Sequence, residues 1–111
     1  MRIAQIAPLY ESVPPKLYGG TERVVSYLTD ELVRQGHDVT LFASADSVTT
    51  AKLRSVCDGG LRLQGSSITD PLAHHIHMIE MVAQEAARFD VFHFHIDYLH
   101  FPVTRDRKSV V

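Results

Sequence analysis

The 111-residue sequence contains no tryptophan and one cysteine, Cys57. A lone cysteine excludes a disulfide framework and makes a reducing compartment the default. Nothing near Cys57 in sequence would activate it, so an inert thiol is expected. Charge of one sign is also lacking: 11 Lys and Arg stand against 13 Asp and Glu, a net charge of −2. That balance gives no reason to expect nucleic acid or an anionic membrane as partner. Long apolar runs are missing too, so no membrane span is expected. The opening apolar stretch, Ile3 to Ala7, is interrupted by Gln5 and stopped by Pro8, too short for a secretory signal. A cytoplasmic location follows as the expectation.

What remains is 45% hydrophobic and 22% charged, the make-up of one ordinary globular domain. The informative stretch is Tyr18-Gly19-Gly20-Thr21-Glu22-Arg23. Two glycines at the mouth of a helix allow close approach of backbone to a ligand. The unpaired N–H groups and the positive dipole end of that helix suit an anion, most often a phosphate. The structural alternative is a tight strand-to-helix turn. Glu22 fits the dipole, and Arg23 could reach a phosphate or only solvate the helix.

Arg2 to Ala7 reads as a short buried strand, followed by a long loop through Pro14 and Pro15 that is expected to close over the Gly-Gly turn. Thr21 to Gln35 reads as an amphipathic helix. Val24, Val25, Leu28, Leu32 and Val33 form its inner stripe; Glu22, Arg23, Ser26, Asp30, Glu31 and Arg34 face out. Asp30 and Arg34 are spaced as an i, i+4 ion pair. Gly36 ends the helix as its C′ residue. Asp38 to Ala43 reads as the second strand. Ala51 to Cys57 reads as a short helix and Leu61 to Leu63 as a brief strand. Asp70 is a good N-cap, with Pro71 at the first helical position of a helix reaching about Arg88. Its inner stripe is expected at Leu72, Ile76, Ile79, Val82 or Ala83, and Ala86; His74, His75, His77, Gln84, Glu85 and Arg88 face solvent. Asp90 to His95 is a strand, and Val110-Val111 begins another.

Strand, helix, strand with a crossover means parallel pairing. The fold class is therefore α/β: a Rossmann-like, doubly wound parallel sheet. It reads as incomplete, since a strand begins at the end of the sequence, and self-association through that unfinished sheet edge is a possible consequence. Ligands of such sheets sit at the carboxyl ends of the strands, which puts Pro8 to Gly20, Ser44 to Ser47, and His95 to His100 on one rim. A dinucleotide fingerprint is absent, because the glycines arrive late and as a pair.

His93-x-His95-x-Asp97 has alternate spacing on a strand and invites a metal. It is close to the HxHxDH pattern of metallo-β-lactamase hydrolases, but Tyr98 stands where that pattern has His, and the hairpin-rich sheet before it is missing. The favoured reading has no metal. Glu11, Glu22 and Asp97 are available acid–base groups without a deciding spacing.

Four segments together resemble a known family: Met1 to Pro8, Gly19-Gly20-Thr-Glu-Arg-Val-Val, Leu32 to Ser44 with its Gly-His-Asp-Val turn, and Asp90-Val-Phe-His-Phe-His. They look like the N-terminal domain of family 4 glycosyltransferases, which have the GT-B fold. The resemblance implies two Rossmann-like domains across a cleft, the N-terminal one on the acceptor side and a C-terminal, donor-binding one outside residues 1–111. It implies sugar transfer with retention from a nucleotide-sugar donor substrate to a sugar or glycoside acceptor, with no separate cofactor. Gly19 and Gly20 would lie against the donor diphosphate, Glu22 and Arg23 would shape that loop, and His95 and Asp97 would line the acceptor side. The family's active-site histidine is expected beyond Val111, so these residues alone are expected to be inactive. The rivals are a stand-alone Rossmann-like module that binds a phosphorylated ligand or a partner, and the HxHxD metallohydrolase.

Overall fold

A parallel sheet is built from short strands whose central members bury both faces, and Arg2–Ile6 and Asp38–Phe42 here are short and, but for their first residues, buried. The computed structural model describes residues 1–9, 12–15, 20–55, 71–96 and 109–110. Its elements are β1 (Arg2–Ile6), α1 (Gly20–Arg34), β2 (Asp38–Phe42), β3 (Lys52–Arg54), α2 (Pro71–Gln84), a 3-10 turn (Ala86–Arg88), β4 (Val91–Phe94) and β5 (Ser109–Val110). The strands form one sheet in the order β3-β2-β1-β4-β5, and each neighbouring pair is parallel. Reversal of strand order at β1 makes the sheet doubly wound, as the sequence pattern implied.

Three expectations are corrected. The Ala51–Cys57 segment is not a helix where it is described; Lys52–Arg54 is a strand on the edge. Lys52 pairs opposite Thr40, only two residues below the end of β2. The returning loop has so little distance to cover that it needs no helix. The Leu61–Leu63 strand and the Asp70 cap lie outside the described residues.

The second correction is the phase of α1. Its buried residues are Glu22, Val25, Ser26 and Thr29, while Val24 is 59% and Tyr27 67% exposed. Leu28, Leu32 and Val33 are half-buried flanks. Small side chains at 26 and 29 let the helix lie close on the sheet, which larger Val and Leu side chains would prevent. Asp30 does not pair with Arg34. It accepts hydrogen bonds from the Thr50 N–H (3.2 Å) and hydroxyl (2.9 Å), and Arg34 turns to Glu31.

The third is α2, whose buried stripe is His75, Met78, Ile79, Val82 and, in the following turn, Ala86; Ile76 is 53% exposed. Both stripes have helical spacing, and they share Ile79, Val82 and Ala86; the differences are that His75 and Met78 are buried and Ile76 is not. The one chosen brings Met78, Ile79, Val82 and Ala86 against Ala4, Ile6, Phe42, Phe92 and Phe94. On the other face, Val25 of α1 packs with Ala7, Leu41, Ala43 and Val13. The sheet is thus covered on both sides, as a parallel sheet requires.

Gly36 performs the role assigned to it. Its φ is +93°, and its N–H bonds to the Val33 carbonyl while the His37 N–H bonds to that of Leu32. This is a Schellman ending of α1. The two aspartates of the family-like segments hold the opposite, amino end of the sheet. Asp90 accepts from the Arg2 N–H at 2.8 Å and from its guanidinium at 3.1 Å, and Asp38 meets Lys52 at 3.2 Å. The Arg2 hydrogen bonds hold the Asp90 carboxyl down at about 2.

Candidate functional site

All carboxyl ends of the strands finish on one rim. The Ala7 N–H bonds to the Phe42 carbonyl and the His95 N–H to that of Ile6, so β1, β2 and β4 end together. Because α1 returns antiparallel to β1, its opening turn lies at the same rim. Gly20 begins that helix, is exposed, and has no described residue within 4 Å of where a Cβ would stand. Its φ is not positive. A positive φ therefore does not require glycine at position 20, and the described residues around the helix mouth leave room for a side chain there. Gly19 and Asp97 lie outside the described residues, as does Glu11. Arg23 is exposed; Glu22 is buried, at 5% exposure, on the sheet-facing side of α1.

The long loop after β1 is pinned sideways. The Val13 N–H donates to Ser47 Oγ at 2.9 Å, and the Val48 N–H donates to the Val13 carbonyl at 2.8 Å. The Ser44 hydroxyl in turn bonds to the Asp46 carboxylate. Where it is described, the loop is fastened to the β2–β3 connection, with Leu9, Ser12, Val13 and Pro15 buried. A second clasp comes from α2: the Leu9 N–H donates to His75 Nε2 at 3.0 Å. His75 is therefore a buried, bonded side chain and not the solvated one expected from the other helix phase.

Three polar side chains gather on the α1 face of the rim. Gln5 of β1 is in register with His93 of β4, and alternation along β4 puts His95 on that face as well. Gln5 Oε1 and His95 Nε2 are 2.8 Å apart, and the His93 and His95 rings lie 4.1 Å centroid to centroid. Gln5 is fully buried, and its Nε2 has no hydrogen-bond partner among the described residues. Leaving a buried amide hydrogen unpaired costs about 1–3 kcal/mol. Burial lowers the affinity of His95 for a proton, and neighbouring His93 lowers it further, to a pKa of about 4. Burial shifts His93 downward also. Both rings are uncharged at neutral pH. Among the described residues no group of three or more His, Cys, Asp or Glu is placed to hold a metal ion.

The sign of the resulting pH dependence is fixed. A histidine whose folded pKa lies below its unfolded value of about 6.5 stabilises the fold fully above that value. The contribution is lost as pH falls from about 6.5 toward about 4, because the unfolded chain takes up a proton that the native ring refuses. Allowing for the partial exposure of His95, about 1–2 kcal/mol should disappear across this window. Urea midpoints at pH 7.5 and 4.5 should differ for the natural protein and much less for His95→Gln. Equal pH slopes in both would show that His95 is not the titrating group.

A groove of about 470 Å³ opens at the far, amino end of the sheet. Its cations are satisfied: Arg2 pairs with Asp90, Lys52 with Asp38, and Arg54 and Arg88 both with Glu85. Mutual neutralisation leaves it little to offer a ligand, and the carboxyl rim remains the candidate site.

Gln5 and His75 are the rim residues that sequence reasoning missed. A polar residue inside the apolar run Ile3 to Ala7 was itself a signal, since a strand buried on both faces must give it a partner. Its partner, ninety residues away, was beyond reach of local pattern. His75 left no such mark.

A Rossmann-like α/β domain with a helix mouth and a polar cluster on one rim is a small-ligand scaffold. The family model of Glycosyltransferase Family 4 matches residues 18–110. The chain belongs to that family. Among solved structures it is similar to AviGT4, a glycosyltransferase involved in avilamycin A biosynthesis, with 29% identity and a TM-score of 0.56 over 84% of this chain. The chain spans about a quarter (25%) of the length of that protein. No protein of curated function matches. No helix among the described residues is long and apolar enough to cross a membrane.

Proposed function

We propose that this chain is the acceptor-side domain of a retaining glycosyltransferase that moves a sugar from a nucleotide-sugar donor to a sugar or glycoside acceptor. The carrying observation is the open helix mouth at Gly20 on the same rim as Gln5, His93 and His95, in a chain of this family. Backbone N–H groups at Gly19 and Gly20 contact the donor diphosphate, the charge that a helix N-terminus favours. Glu22 and Arg23 shape that turn. His95 and Asp97 lie on the acceptor side. A second, donor-binding domain supplies the remaining nucleotide contacts and the active-site histidine, so residues 1–111 alone do not turn over. The protein works in the cytoplasm and requires no metal.

The test is calorimetric titration of the protein carrying this domain with a panel of uridine, adenosine and guanosine diphosphate sugars, with and without chelator. One nucleotide-sugar should bind well ahead of its free sugar, unaffected by chelator, and mass spectrometry of mixtures with glycoside acceptors should show transfer. Binding without transfer to any acceptor would favour the stand-alone binding module. Chelator-sensitive hydrolysis, lost in the His93→Ala, His95→Ala double variant, would favour the metallohydrolase. Sugar transfer by residues 1–111 alone would overturn the division of labour.

A further inference from the structure

A fully buried glutamine on the central strand of a parallel sheet is poor economy for folding alone. β1 has strands on both sides, and Gln5 lies between Leu41 and His93 in register. An apolar side chain of similar size would fill the space without an unpaired amide. The polar group therefore points to the one hydrogen bond it makes among the described residues, that with His95 Nε2 at 2.8 Å.

We infer that Gln5 is a positioning residue that holds His95 in a single tautomer, with the Gln5 carbonyl taking the Nε2–H and the His95 Nδ1 lone pair left free to accept. An imidazole with one nitrogen bonded as donor must present the other as acceptor while it is neutral. The His93 ring, against that of His95, limits rotation from the side. The surroundings are completed by α1, whose buried stripe brings Glu22 over the same sheet face. Resting on the acceptor-side reading above, the inference deepens it: His95 meets the acceptor as a neutral hydrogen-bond acceptor for a hydroxyl group. A cation or an N–H donor at that nitrogen would instead suit a carboxylate or phosphate.

The experiment is long-range proton–nitrogen correlation NMR on the protein labelled with 15N at histidine, at pH 7.5. His95 should show a protonated Nε2 and an unprotonated Nδ1 in the natural protein, a measurement that needs no variant to fold. Gln5→Leu should give a mixed tautomer signal and raise the KM for acceptor roughly tenfold with donor KM unchanged. Gln5→Glu, which keeps an accepting oxygen, should restore the Nε2–H form. An Nδ1–H tautomer in the natural protein, or an unmixed Nε2–H signal in Gln5→Leu, would overturn the inference. Tautomers that behave as expected while acceptor KM stays fixed would leave the clamp standing and sink the acceptor-side reading instead.

Discussion

Replacing Gly20 by alanine is expected to lower affinity for the nucleotide-sugar donor at least about tenfold and to leave the fold intact. None of the described residues lies within 4 Å of the added Cβ, and the backbone there needs no positive φ. Alanine at the start of a helix should even stabilise, by up to about 1 kcal/mol, by restricting the unfolded chain. A loss of donor binding would then report contact between the helix mouth and the donor. About 1.4 kcal/mol of lost contact gives the tenfold change. Calorimetry of donor binding beside a urea melt separates the two quantities. Unchanged affinity in a stable variant would remove Gly20 from the diphosphate site.

Phe42→Ala is expected to destabilise the fold by about 3–5 kcal/mol. Phe42 is fully buried and starts a run of ring contacts: edge-on to Phe89 at 5.9 Å, which is edge-on to Phe92 at 5.8 Å, which stacks on Phe94 at 6.4 Å. Truncation removes one end of that run and opens a cavity between β2 and α2. A small domain has only about 5–15 kcal/mol of stability in total, so much of the population should unfold on mild denaturation. Tyr27→Ala, at a 67% exposed position on α1, is the control and should stay within about 0.5 kcal/mol. Comparable urea midpoints for the two variants would contradict the core described here.

The corrections to the two helices share one physical cause. Apolar spacing identifies a helix but fixes its phase only when one stripe clearly wins. In α2, Ile76 competes with Met78 for the buried face, and the sheet surface beneath selects Met78, with His75 buried beside it. In α1, the sheet accepts small Ser26 and Thr29 more closely than Val24. The Asp30–Arg34 pair was chosen on spacing alone, while an exposed ion pair is worth so little that a nearby threonine or glutamate displaces it.

Local chemistry in the sequence by itself determined β1, α1, β2, α2 and β4 in their order, the parallel pairing that a crossover helix forces, the stop at Gly36, and the rim on which the carboxyl ends of the strands finish. These depend on backbone geometry and near-neighbour spacing. Only the tertiary structure decided which helix faces were buried, that Lys52–Arg54 joined the sheet, that His75 clasps Leu9, and that Gln5 meets His95. Such pairings join residues far apart in the chain, and packing against a particular surface, not the spacing of the residues themselves, chooses among them.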